Sequence, residues 1–401
     1  TYIIYRLLLR CKVLRYLCER GTHHFPLLFM KGIQLIMAST KIGFIGLGLI
    51  GGSVAKALRK YYPDYEIIAF DKNRETLALA VQDNIIHTAC SSIDDNFREC
   101  RYIFLCAPVS CNTAYLSQLK NLITPDCILT DVGSVKTSIH EEIASLGMEE
   151  NFIGGHPMAG SEKSGFANSK AHLIENAYYV LTPTKKVSAE KTAAYRDLIA
   201  SLKAIPIVLD YRDHDYVTGT ISHLPHIIAA TLVNYVRDTD TKDELMKALA
   251  AGGFKDITRI ASSSPVMWQQ ICLKNRSNIS SILGGYIDAL EKAKALVDSG
   301  NENGLYSLFE TSRDYRDSMP NSSAGPIKKQ FAFYCDIIDE AGGIATIATI
   351  LATNNINIKN IGIVHNREFE EGALKIEFYD EASSDKAARL LQKHHYIVYE
   401  T

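Results

Sequence analysis

The run Gly46-Leu47-Gly48-Leu49-Ile50-Gly51 constrains the fold of this chain more than any other six residues. An apolar strand pattern, Ile42 to Ile45, precedes it, and a helix pattern opening at Gly51 and reaching Arg59 follows. Gly46 permits the tight turn, Gly48 lets the backbone approach a pyrophosphate, and Gly51 permits close helix–strand packing. The helix that opens there offers free N–H groups and a positive dipole end to phosphates. A second strand, Glu66 to Phe70, ends at Asp71, 20 positions past Gly51. A carboxylate there accepts from the ribose hydroxyls and repels a 2′-phosphate, which favours NAD over NADP. FAD is the weaker alternative, because no second flavin motif follows. Cys106 and Pro108, at the end of the third predicted strand and just past it, join Gly46, Gly48, Leu49, Ile50, Gly51 and Asp71 as candidate cofactor residues.

Strands and helices keep alternating beyond that unit. Arg101 to Cys106, Cys127 to Asp131, Tyr178 to Thr182 and Pro206 to Leu209 read as strands, and Ser134 to Leu146 as a helix. This order predicts a Rossmann-type, doubly wound α/β domain over 37–210 with a mostly parallel sheet. After Asp210 the pattern changes to successive helices over 211–318, with Pro225 and Pro265 as starts or kinks. Such an all-helical domain buries large faces and often dimerises. The stretch 319–326 is a linker by composition. Residues 327–401 then restart as βαββαβ, the ferredoxin-like order.

Composition bounds the rest. A chain of 401 residues with a formal net charge of −2 and no basic block in its body argues against nucleic acid as a partner. The nine cysteines include no Cys-x-x-Cys pair and no zinc-like spacing, so no metal is expected. Cys106, Cys111 and Cys127 read as buried free thiols, which suits a reducing cytoplasm. Residues 1–36 look foreign to the remainder: Arg6, Arg10, Lys12 and Arg15 interrupt every apolar run. That stretch is expected to be a non-native or disordered extension ahead of Met37, and no membrane partner is expected.

The chemical half of the chain is Gly154-Gly155-His156-Pro157-Met158-Ala159-Gly160-Ser161-Glu162, read as a glycine-walled turn around one histidine. A histidine so placed can handle a proton while a nicotinamide handles a hydride. Continued through Lys163-Ser164-Gly165, this segment resembles the signature of prephenate dehydrogenases. So do Asp131-Val132-Gly133-Ser134-Val135-Lys136, His214-Asp215 with Ser222-His223-Leu224-Pro225-His226, Gly252 to Ala261, and Pro265-Val266-Met267-Trp268. The resemblance runs from about Lys41 to the C-terminus. It implies conversion of prephenate with NAD to 4-hydroxyphenylpyruvate, carbon dioxide and NADH on the route to tyrosine.

Within that resemblance His156 is the expected general base and Ser134 its neighbour, facing histidine, substrate hydroxyl or nicotinamide. Plain N-capping of the following helix is the other role open to Ser134. Arg259 is expected to grip a substrate carboxylate bidentately. His226 is expected at the substrate side chain, and Ser161 and Glu162 at the pocket edge. An unperturbed histidine titrates near pH ~6.5, so turnover is expected to rise through that region. His223 and His226 at i, i+3 could share a face, and a metal pair there lacks a third ligand. The tail, from Asp339-Glu340-Ala341-Gly342-Gly343-Ile344 onward, resembles an ACT domain, which implies sheet-to-sheet dimerisation and a tyrosine site. Ala341 stands where the common pattern has proline. Arogenate dehydrogenase, and a non-catalytic amino-acid sensor on the same scaffold, are the alternative readings.

Overall fold

The computed structural model describes residues 40–107, 111–160, 163–319, 331–336, 342–364 and 373–400. The N-terminal extension, the linker from 320 onward, and Pro108, Ser161, Glu162 and Asp339 to Ala341 lie outside the described residues. The chain divides into two compact units, one up to Gly300 and one from Asn301.

Among the described residues the first unit opens with β1 (Lys41–Ile45), α1 (Leu49–Tyr61), β2 (Glu66–Phe70), α2 (Arg74–Gln82) and β3 (Thr88–Cys90). It continues with β4 (Tyr102–Leu105), α3 (Asn112–Leu119), β5 (Ile128–Asp131) and α4 (Thr137–Leu146). The five strands form a parallel sheet in the order β3-β2-β1-β4-β5. Its interior strands are nearly continuous apolar runs because both faces are covered. Ile42 and Phe44 pack with Leu58, Ile67 and Tyr195 on one face, while Ile45, Ile103, Leu116 and Ile139 pack on the other. Phe44 and Phe104 stack across the β1–β4 pair, with ring centroids 5.0 Å apart. Strand order reverses between β1 and β4, so the crevice outside their carboxyl ends is the expected ligand position.

β6 (Ile153–Pro157), β7 (Tyr178–Pro183), α5 (Ala189–Ser201) and β8 (Ile205–Val208) follow, the strands forming a second sheet in the order β6-β7-β8. A parallel bridge from Leu129 to Phe152 ties its start to β5. The sequence pattern located β7 and β8 but missed β6, which runs antiparallel to β7. His156 therefore lies on a strand and not in a turn. The Gly154-Gly155 pair is there for want of space: a Cβ on Gly154 would run into Thr182 Oγ1, and one on Gly155 would meet the Asp131 carbonyl oxygen at 2.5 Å.

Six helices complete the unit: α6 (Tyr211–Thr218), α7 (Leu224–Thr239), α8 (Leu245–Leu249), α9 (Gly252–Thr258), α10 (Pro265–Lys274) and α11 (Arg276–Asp298). A π-turn, Gly219–His223, joins α6 to α7. Pro225 and Pro265 sit in the first turns of α7 and α10, where their missing N–H costs nothing. Many large apolar side chains here are exposed, among them Tyr235, Leu249, Ile257, Leu273 and Leu290.

The second unit holds α12 (Glu302–Ser318), β9 (Phe331–Asp336), α13 (Gly343–Thr353), β10 (Ile358–Val364), β11 (Ala373–Phe378), α14 (Glu381–Lys393) and β12 (Val398–Glu400). Its strands pair antiparallel in the order β10-β11-β9-β12. Phe333, Leu351, Leu374, Ile376 and Leu391 form its core.

Candidate active site

The loop after β1 fits a dinucleotide. Gly46 holds φ +94°, and a Cβ on it would lie 2.7 Å from the Ala107 nitrogen. Gly48 is the N-cap of α1 without a side-chain cap bond, and open space lies where its Cβ would project. The backbone there is free to meet a pyrophosphate, and the first-turn N–H groups of Leu49 and Ile50 follow it. At Gly51 a Cβ would lie 2.7 Å from Cys106 Cβ, so glycine lets α1 close against the end of β4. Asp71 accepts from Leu47 N at 2.7 Å through Oδ2 and from Asn73 N at 2.8 Å through Oδ1. Both bonds fix its carboxylate at the rim of the crevice with acceptor capacity left over. Of the thiols expected to be buried, Cys127 is, whereas Cys106 and Cys111 are partly exposed.

The second cluster centres on His156. Beneath it a fully buried ion pair joins Lys136 Nζ to Asp131 Oδ2. Lys136 Nζ also donates to the Gly155 carbonyl at 2.8 Å, and Asp131 accepts from Gly155 N at 3.1 Å and Gly133 N at 2.9 Å. These bonds clamp β6 to the β5–α4 loop, which carries the partly buried Ser134. Ser134 does not cap α4; the helix starts at Thr137, later than its sequence suggests. The cap comes from Asp215 of α6, whose Oδ1 accepts from Lys136 N at 2.7 Å and whose Oδ2 accepts from Thr137 N at 2.7 Å.

Asp215 also receives His214. His214 Nδ1 lies 2.8 Å from Asp215 Oδ1, and His214 Nε2 lies 2.8 Å from His156 Nδ1. His214 and Asp215 are fully buried. Burial alone would push the Asp215 carboxyl up, but the bonds from His214, Thr137 and Lys136 outweigh it and hold it below the usual carboxylate range. Burial, then the neighbouring His214, Lys136 and His223, push His156 well below the ordinary histidine value. The acid limb of any reaction using His156 as a base therefore falls below the pH ~6.5 of a free imidazole.

The third group surrounds the single tryptophan. His226 stacks on Trp268 with centroids 3.7 Å apart, and His223 meets the same ring edge-on at 5.9 Å. The pair thus shares a face, as its spacing suggests, and the face is aromatic. No group of three or more metal-binding side chains occurs among the described residues. Arg259 opens a short turn, Arg259–Ser262, and its charge is close enough to help lower the His226 pKa, after the larger effect of burial. Sequence reasoning did not assign roles to Asp131, Lys136, His214 or Asp215. The adjacent pair His214-Asp215 was the available signal, since a buried acid beside a histidine is a common orienting device.

The family described as "Prephenate dehydrogenase, nucleotide-binding domain" matches residues 54–208, and "Prephenate dehydrogenase, dimerization domain" matches 210–311. The chain is 37% identical over 349 residues to the prephenate dehydrogenase of Bacillus subtilis, covering 86% of this chain and 94% of that protein. The chain belongs to the prephenate dehydrogenase family. The prephenate dehydrogenase of Lactococcus lactis is 34% identical over 357 residues, 88% of this chain and 98% of that protein. A crystal structure of prephenate dehydrogenase from A. aeolicus, in complex with hydroxyphenyl propionate and NAD+, superposes with a TM-score of 0.67 at 31% identity. It covers 71% of this chain and 99% of that one. The Rossmann-like sheet followed by a helical domain is thus the architecture of this family. Among the described residues no helix is long and apolar enough to cross a membrane.

Proposed function

We propose that this chain oxidatively decarboxylates prephenate to 4-hydroxyphenylpyruvate in tyrosine biosynthesis, with NAD as the cofactor. The carrying observation is one partly buried imidazole, His156, on a strand that bonds from Gly155 to Asp131 and Lys136 clamp to the β5–α4 loop. NAD, when bound, supplies the acceptor for the hydride that leaves the hydroxyl-bearing carbon. His156 accepts the proton of that hydroxyl as the carbon is oxidised, and Ser134 holds the hydroxyl or the imidazole in line. The ring carboxylate leaves as carbon dioxide and its bonding electrons make the ring aromatic. The proton on His156 returns to the phenolic oxygen, so no net proton is consumed. Arg259 grips a carboxylate, His226 on its Trp268 platform meets the pyruvyl side chain, and Ser161 and Glu162 are further candidates for substrate binding. Gly46, Gly48, Leu49, Ile50, Gly51, Asp71 and Cys106 are assigned to cofactor binding, with Pro108 as a further candidate from the sequence.

The domain plan that goes with this reading is a nucleotide domain over 37–210, a helical substrate and dimerisation domain over 211–318, a linker over 319–326 and an ACT domain over 327–401. The βαββαβ element order and antiparallel sheet of the tail support the last assignment. The exposed apolar side chains of α7 to α11 support a homodimer. Tyrosine bound at the ACT domain would inhibit as the end product, and the buried free thiols suit the cytoplasm. The names of the Bacillus subtilis and Lactococcus lactis relatives favour prephenate over arogenate. The test is NADH formation from each substrate with NAD and with NADP. Turnover of prephenate with NAD is expected; turnover of arogenate alone would overturn the reading.

A further inference from the structure

We propose that His214 and Asp215 are positioning residues: they form a relay, His156–His214–Asp215, that fixes the proton of His156 on Nδ1 and leaves Nε2 bare to face the substrate hydroxyl. The inference rests on the reading of His156 as the base and extends it to two side chains with no assigned role. The argument is one of donors and acceptors. An ionised Asp215 carboxylate can only accept, so His214 Nδ1 carries the hydrogen in their 2.8 Å contact. A neutral imidazole protonated on Nδ1 accepts at Nε2, so in the 2.8 Å contact between the rings His156 Nδ1 is the donor. The lone pair of neutral His156 is then on Nε2. Without an oriented acceptor behind it, the ring would divide between two tautomers, and one of them cannot act as a base.

Asp215 anchors the relay. Its two oxygens accept from Lys136 N and Thr137 N at the start of α4, so the carboxylate cannot swing toward the substrate. Asn275 Nδ2 donates to the Asp215 carbonyl at 2.8 Å and contacts His223 Nδ1 at 3.1 Å, which holds the backbone of α6 in place. Among the described residues, the charged and titratable groups around His156 are Lys136 with its partner Asp131, His223, and the relay itself. When His156 takes the substrate proton, the new positive charge faces His214 backed by a fixed carboxylate. The proton does not need to travel further: the relay orients and compensates.

Two variants separate this role from simple packing. His214→Phe keeps a ring and removes the acceptor; His214→Gln keeps an amide oxygen for His156 while its NH2 donates to Asp215. The expected result is a kcat lower by about 10–10²-fold for the Phe variant, a part of the ~10²–10⁴-fold that general-base assistance supplies. The Gln variant should recover to within about tenfold of wild type, with the KM for prephenate changed little in either. Nitrogen-15 NMR of labelled histidines in the wild-type protein, at a pH where His156 is neutral, should show His156 protonated on Nδ1. Equal losses in both variants, an unchanged kcat in the Phe variant, or a wild-type His156 protonated on Nε2 would overturn the relay. The NMR result decides even if the Phe variant does not fold. If prephenate is not turned over while the Nδ1–H tautomer is found, the substrate reading fails and the relay stands. If prephenate is turned over but Nε2 carries the proton, the relay alone fails.

Discussion

Gly155→Ala tests the central geometry with one methyl group. A Cβ at this position would lie 2.5 Å from the Asp131 carbonyl oxygen and 3.1 Å from both Thr130 Oγ1 and Tyr179. Ordinary contact begins at 3.4 Å, so β6 must move away from β5 by about 0.9 Å (3.4 less 2.5), because the nearest obstacle is backbone and cannot rotate aside. The two bonds that clamp Gly155, to Asp131 Oδ1 and Lys136 Nζ, stretch in the same movement. A misplacement of ~1 Å costs on the order of 10²-fold in rate where reacting groups are pre-aligned. Steady-state kinetics with prephenate and NAD should therefore show kcat reduced by about 10²-fold, with the KM for NAD little changed. Overpacking of this kind also destabilises by about 1–3 kcal/mol, so the urea midpoint of the first unit should fall. A folded Gly155→Ala enzyme with kcat within about twofold of wild type would show that the position of β6 does not control catalysis.

Other outcomes follow from the same contacts. His156→Asn should keep NAD affinity and lose about 10²–10⁴-fold in kcat; retained turnover would remove His156 from the chemistry. The kcat/KM for prephenate should hold its value down through pH ~6.5 and fall only at more acid pH, because His156 titrates below that value in the free folded protein. Arg259→Ala should chiefly raise the KM for prephenate, and Arg259→Lys should restore little of it, since lysine lacks the bidentate fork; a KM unchanged by either removes Arg259 from carboxylate binding. Stability should also fall with acid. His140 and His223 are buried and pushed down to about 4, from 6.5. The unfolded chain binds their protons first, so stability is full above pH ~6.5 and is lost as pH falls toward 4. Urea midpoints equal at pH 7 and pH 5 would refute this.

The sequence carried the nucleotide fold because its signals are local. Gly46 to Gly51, the flanking strand and helix, and Asp71 all fall within one βαβ unit, and the structure forms that unit with the tight turn at Gly46 and the close packing at Gly51. His156 stands out in the sequence as a candidate base, but its place on a strand does not. Two glycines in a row read as a turn, whereas here they mark a strand pressed against the Asp131 backbone and the Thr182 hydroxyl. The capping role left open to Ser134 rests only on its place just before the helix pattern. The capping carboxylate comes instead from Asp215, 78 residues beyond Thr137. Contacts of that range leave no periodic trace in a single chain, so the ring behind His156 could not be found by spacing alone. The exposed apolar side chains of α7 to α11 were legible as helical faces without any sign of how much of each stays uncovered.

The carboxylate of Asp215 has a further consequence for how this enzyme can change. It belongs to the helical segment but finishes a helix of the nucleotide fold, and the same oxygen that caps Lys136 N receives His214. Neither segment can be exchanged for a foreign counterpart one at a time. A transplanted helical segment without an acid at this point would expose the amide ends of α4 and leave His156 without its neighbour. Recombination between distant relatives should therefore succeed where the crossover keeps 131–137 and 214–215 from one parent.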